Sequence, residues 1–190
     1  MVVRNLFFNT LDILLSSITS RSHWLTLHLT RRTFEFISVD GWDTEVAVAK
    51  HVVVDLFRQV TVNTLFLEAF EEDRHWLSAV DIWEILHAMP DIETLRIHNW
   101  DYSTENINLS QARIRDEEAF KNMAASYFNS LEHMALAGAV VEGSESPALY
   151  DYLEGDEPIV TWFRENVPNF ELTSNYKVPP EFCAPVWGLW

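Results

Sequence analysis

The densest group of residues able to do chemistry in this sequence is Glu68, Glu71, Glu72, Asp73 and His75, where four carboxylates and an imidazole fall within eight positions. Oxygen ligands of this kind hold hard cations, and a carboxylate beside a histidine can shuttle protons, so the segment reads either as a solvated acidic loop or as the site of a small hydrolase-like or metal-assisted α/β enzyme. A second pair, His51 and Asp55, stands four residues apart, which on a helix gives one shared face and the spacing of a surface pair or an oriented imidazole. The sequence contains no G-x-S-x-G elbow, no H-E-x-x-H pair and neither of the glycine-rich phosphate loops. With only five glycines, the chain has little material for a nucleotide cradle, and no cofactor is expected.

The elements that would position these groups follow from a nine-residue pattern with apolar side chains at the first, fourth and sixth places. It occurs as VNTLFLEAF, IETLRIHNW, LEHMALAGA and VPNFELTSN, beginning at residues 62, 92, 131 and 167. An earlier copy is WLTLHLTRR or the adjoining RTFEFISVD, and the polar break from Thr30 to Thr33 allows the two to form a hairpin. Between copies the apolar period lengthens from two to about 3.6, the change expected where a helix follows a strand.

Four helices are expected in those intervals and one at the start. Asp43 to Gln59 aligns Val46, Ala49, Val53 and Leu56, although its HVVVDLF run also permits a strand. Ser78 to Met89 carries capping-box spacing at Ser78 and Asp81 and stops before Pro90. Asp116 to Ser130 opens on three acids, and Pro158 to Asn166 opens on a proline whose missing N–H does no harm there. Near the N-terminus Leu6, Leu11, Ile13, Leu14 and Ile18 fit one side of a helix better than a secretory signal, because Asn5, Asn9 and Asp12 interrupt the apolar run.

Strand–helix units of this type cannot bury their apolar faces alone and solve the problem by stacking. The expected fold is therefore α/β, an irregular solenoid with parallel strands on one side and helices on the other; an ordinary open α/β sheet is the competing arrangement. Residues 1–175 form one repeat domain, whose first unit, 1–40, is an atypical cap or hairpin. Residues 176–190 form a Pro/Trp-rich tail, read as a lid over the last repeat or a projecting aromatic peptide, and Gly138 to Gly155 is read as an acidic surface loop.

These copies resemble leucine-rich repeats, and phrases such as ILHAMPDIETLRIHNW and FNSLEHMALAG are similar to the C-terminal portions of fungal F-box and leucine-rich-repeat proteins. The resemblance spans about residues 20–175. It departs from the family at the ninth place, where Phe70, Trp100 and Ala139 replace asparagine and only Asn175 keeps it. The resemblance implies a noncatalytic recognition module, the substrate-binding part of a ubiquitin-ligase receptor. A cullin-ligase adaptor is implied as partner only where an F-box exists, and the first twenty residues lack its Leu-Pro opening.

In a strand of this phase the third, fifth and seventh residues point away from the helices. That rule gives a binding face whose candidate residues are Phe66 and Glu68, Arg96 and His98, His133, and Glu171. An exposed Phe66 next to Arg96 would be its hot spot, and His98 with His133 on the neighbouring strand would make binding sensitive to pH.

Charge narrows the partner. The 190 residues carry a net charge of −16, so phosphate backbones and anionic membranes are repelled and a protein with a basic surface is favoured. Residues 1–40 hold four arginines against three acids, which puts the whole excess beyond Asp40. The single cysteine, Cys183, calls for no oxidising compartment, and an intracellular home is expected. A third expectation, besides recognition module and enzyme, is a structural fragment that associates with its own copies.

Overall fold

A computed structural model describes residues 2–4, 6–17, 25–37, 45–48, 50–69, 79–100, 131–142 and 150–174. In chain order the elements are β1 (Val2–Arg4), α1 (Phe8–Ser17), β2 (Leu25–Leu29), a 3-10 turn (Arg31–Phe34), β3 (Glu35–Ile37), β4 (Glu45–Ala47), α2 (Lys50–Phe57) and β5 (Val62–Glu68). They continue with α3 (Ala79–Ala88), β6 (Thr94–His98), β7 (His133–Ala137), β8 (Val140–Glu142), β9 (Tyr150–Tyr152), α4 (Pro158–Asn166) and β10 (Asn169–Thr173).

The fold is α/β. Six strands form an open parallel sheet in the order β1-β2-β5-β6-β7-β10, each added beside its predecessor in the chain. All four nine-residue copies are strands of this sheet in the expected phase. Their fourth places align across it as Leu65, Leu95, Met134 and Phe170, and their sixth places as Leu67, Ile97, Leu136 and Leu172. Leu27 and Leu29 of β2 extend both rows.

These rows meet Leu11 and Leu15 of α1, Val53, Leu56 and Phe57 of α2, Ile82, Ile85 and Leu86 of α3, and Ile159, Val160 and Phe163 of α4 in one core. Burial decides the contested segments. HVVVDLF is helical from Lys50 despite three successive valines, because Val53 and Phe57 are fully buried one turn apart and packing outweighs the weak β-branched preference. The expected start at Asp43 is corrected: Val46 lies in β4, and Asp43 and Ala49 fall outside the described residues. In α1 the inward stripe is Leu11 and Leu15, while Ile13 is 72% exposed.

Two further expectations are corrected. The segments around Leu27 and Phe36 do not pair with each other: β2 enters the large sheet, and β3 turns off to pair antiparallel with β4. The Thr30–Thr33 break between them is a tight turn in which the Thr30 N–H donates to Thr33 Oγ1 at 3.2 Å and the Thr33 N–H to the Thr30 carbonyl at 2.9 Å. The stretch after Gly138 is no plain loop, since β8 and β9 pair antiparallel there, with residues 143–149 outside the described residues. The helix expected at 116–130 and the tail at 176–190 also lie outside them.

Leu27 and Ile13 make a matched test of this core. Leu27→Ala, at a site with 0% exposure, is expected to cost about 2–5 kcal/mol in chemical denaturation, whereas Ile13→Ala should stay within about 0.5 kcal/mol of wild type.

Candidate strand-face recognition site

The side chains that alternate with the core rows form three rows of their own on the other face of the sheet. Register sets Thr26, Thr64, Thr94, His133 and Asn169 in the first. His28, Phe66, Arg96, Ala135 and Glu171 form the second, and Glu68, His98, Ala137 and Thr173 the third. Neither Phe66 nor the two alanines belong to the core shared with the helices.

The face has two unlike halves. On β2 and β5 it is closed: Phe66 is 2% exposed, and the His28 ring stacks on it with centroids 4.6 Å apart and planes 27° from parallel. Beside them the Glu68 carboxylate lies between two histidines, with Oε2 2.7 Å from His28 Nε2 and Oε1 3.3 Å from His98 Nδ1. The His28 approach is short but off the line of a straight N–H···O bond, a close contact and not a directed hydrogen bond. From β6 to β10 the face opens. Thr94, Arg96, Ala135 and Ala137 are half-buried, and His133, Asn169, Glu171 and Thr173 are exposed.

The strand ends share one device. The N–H of Ala69, of Asn99 and of Gly138, each at the eighth place of its copy, donates to the carbonyl of His98, Ala137 and Thr173 on the next strand, at 3.0, 2.9 and 2.8 Å. Asn99 and Gly138 take left-handed backbone there, φ 54° and 61°, and the Asn99 amide donates back to the Ala69 carbonyl at 3.0 Å. The bridging asparagine thus stands at the eighth place of its copy, and the ninth places of these two copies hold Trp100 and Ala139, both buried.

Of the residues singled out from sequence, Glu68 and His98 are brought together, and Arg96, Ala135 and Glu171 share a row. The exposed Phe66 hot spot is corrected, because the stacked His28 ring covers one side of the aromatic ring and only 2% of the residue meets solvent. His98 and His133 stand on neighbouring strands as expected, though not opposite each other: His133 sits opposite Thr94 and His98 opposite Ala137, four residues further along β7. His51 and Asp55 are both exposed on α2, where Asp55 is engaged by Arg58 instead. In the acidic segment only Glu68 is among the described residues, and those contain no group of three His, Cys, Asp or Glu side chains placed to hold a metal ion. No described helix is long and apolar enough to cross a membrane.

His28 is the site residue that the sequence reasoning passed over. The signal was available, since His28 is the fifth residue of WLTLHLTRR and the rule that selected Phe66 and Arg96 selects it too.

In comparisons with known proteins, no family model matches the chain, and neither a curated protein nor a solved structure matches it.

The two halves of the face should respond differently to truncation. Phe66→Ala empties a buried site and is expected to cost about 3–5 kcal/mol, while the half-buried Arg96→Ala should cost less than about 1 kcal/mol; urea titrations of the two variants check the contrast.

Proposed function

We propose that this protein is a noncatalytic recognition module, an irregular leucine-rich-repeat-like solenoid that binds a partner protein on the strand face between β6 and β10. The observation that carries the reading is the pairing of a buried helix-side face with an opposite face that is polar and opens toward one edge. Parallel sheets ordinarily bury both faces, and stacked repeats are the main setting in which one strand face is kept for a ligand. The order of the strands, each added in sequence beside the last, and the recurring strand-end bridges support a repeat architecture.

Recognition on this half would use Arg96 and Glu171 as opposite charges separated by the small Ala135 side chain. An arginine beside a shallow floor can bury its stem and bind a partner carboxylate or carbonyl in bidentate fashion, while Glu171 takes a basic group. The acidic excess favours a partner with a basic surface through faster encounter. The resemblance to F-box and leucine-rich-repeat proteins makes the substrate-binding part of a ubiquitin-ligase receptor the cellular role we propose, with a cullin-ligase adaptor as second partner only where an F-box is present.

Affinity capture from native cell extract tests the face directly. A variant carrying Arg96→Glu and Ala135→Arg is expected to lose specific partners that both wild type and the helix-side Asp55→Arg control retain. The same set of proteins captured by the folded face variant would refute the assignment, and a cullin adaptor held by all three would support the ligase role.

A further inference from the structure

The closed half of the face is organised around one carboxylate that serves three strands. Glu68 stands at the end of β5, opposite His98 of β6 in register, while His28 of β2 reaches it from the row below. Its two oxygens are divided between them, Oε2 toward His28 Nε2 and Oε1 toward His98 Nδ1. All three side chains are sheltered, with relative exposures of 12% for Glu68, 11% for His28 and 10% for His98.

An ionised carboxylate is an acceptor only, and a sheltered one is stable only when donors face it. A ring nitrogen hydrogen-bonded to an ionised Glu68 therefore carries a hydrogen. That nitrogen is His98 Nδ1, 3.3 Å from Oε1, while His28 Nε2 lies 2.7 Å from Oε2 without the direction of a hydrogen bond. Which nitrogen of an imidazole is protonated is set by such contacts, and each contact also fixes the ring's rotation.

We propose that Glu68 is the positioning residue of the strand face, selecting the Nδ1-protonated form of His98 through a hydrogen bond and holding that ring in one orientation, with the His28 ring packed between the same carboxylate and Phe66. Two consequences follow for the recognition reading, on which this part of the inference rests. The His28 ring is held against Phe66, which closes the β2–β5 half. With both oxygens engaged, Glu68 offers little to a basic partner, so recognition is directed to Arg96, Ala135 and Glu171. A face held in one arrangement before binding loses less freedom when a partner arrives.

Long-range 1H–15N NMR of the histidine rings in mildly alkaline buffer, on the full chain, reads the protonated nitrogen directly. Wild type is expected to show a hydrogen on Nδ1 of His98. Glu68→Met, which keeps the volume and removes both acceptors, should lose the Nδ1-protonated form of His98. A wild-type His98 protonated on Nε2 alone would overturn the proposal, as would ring spectra unchanged in Glu68→Met. If that variant does not fold, the wild-type spectrum still decides. The ring spectra need no partner, so a failure of the recognition reading in the capture experiment and a failure here are separate results.

Discussion

The rest of the structure depends on two side-chain rows that cross the sheet from strand to strand: Leu27, Leu65, Leu95, Met134 and Phe170, and beside them Leu29, Leu67, Ile97, Leu136 and Leu172. Strand side chains alternate, so holding these ten positions against the helices forces the intervening residues to the other side. A slip of one residue would turn groups such as Glu68 of β5, Arg96 of β6 or Glu171 of β10 toward the core. The penalty for burying those groups unpaired keeps the register, and the register in turn brings Arg96, Ala135 and Glu171 into one line.

Burial is not uniform along these rows. Leu27, Leu65 and Leu95 are fully enclosed, while Phe170 and Leu172 on β10 are half-buried. The aromatic residues of the last unit partly make up the difference, with Phe163 stacked on Phe170 at 5.5 Å and Trp162 edge-on to Phe163 at the same distance. The opposite face follows the same gradient, from the sealed His28, Phe66 and Glu68 to the exposed Asn169, Glu171 and Thr173. The β2–β5 side of the sheet is thus enclosed on both faces, while the β10 side lies open to solvent.

The strands and their phase were legible because the one-four-six spacing is a direct imprint of alternation, and α4 was legible because Pro158 marks its start and Ile159 and Phe163 its buried side, to which burial adds Val160. The start of α2 was not, since Val46 satisfies a helical stripe and a short strand equally well and only pairing with Phe36 distinguishes them. In the candidate site, alternation located Phe66, Glu68, Arg96, His98, His133 and Glu171 on the face opposite the described helices. It could not say what lies over them. The burial of Phe66 depends on the His28 ring two strands' worth of sequence away, and the Glu68 contacts join residues 40 and 30 positions apart, separations that no local pattern encodes.

Site-specific thiol labelling tests the central claim, that one set of alternate strand residues faces the helices and the other faces outward. In a Cys183→Ser background, a single cysteine at the exposed Thr173 should react with a water-soluble maleimide at a rate near that of an unfolded control, and one at the half-buried Ala135 more slowly but still in the folded state. Cysteines at Leu95 and Leu136 should react orders of magnitude more slowly and only through unfolding. Fast labelling at Leu95 and Leu136 in a folded protein, with protection at Ala135 and Thr173, would contradict the account by reversing the faces of the sheet.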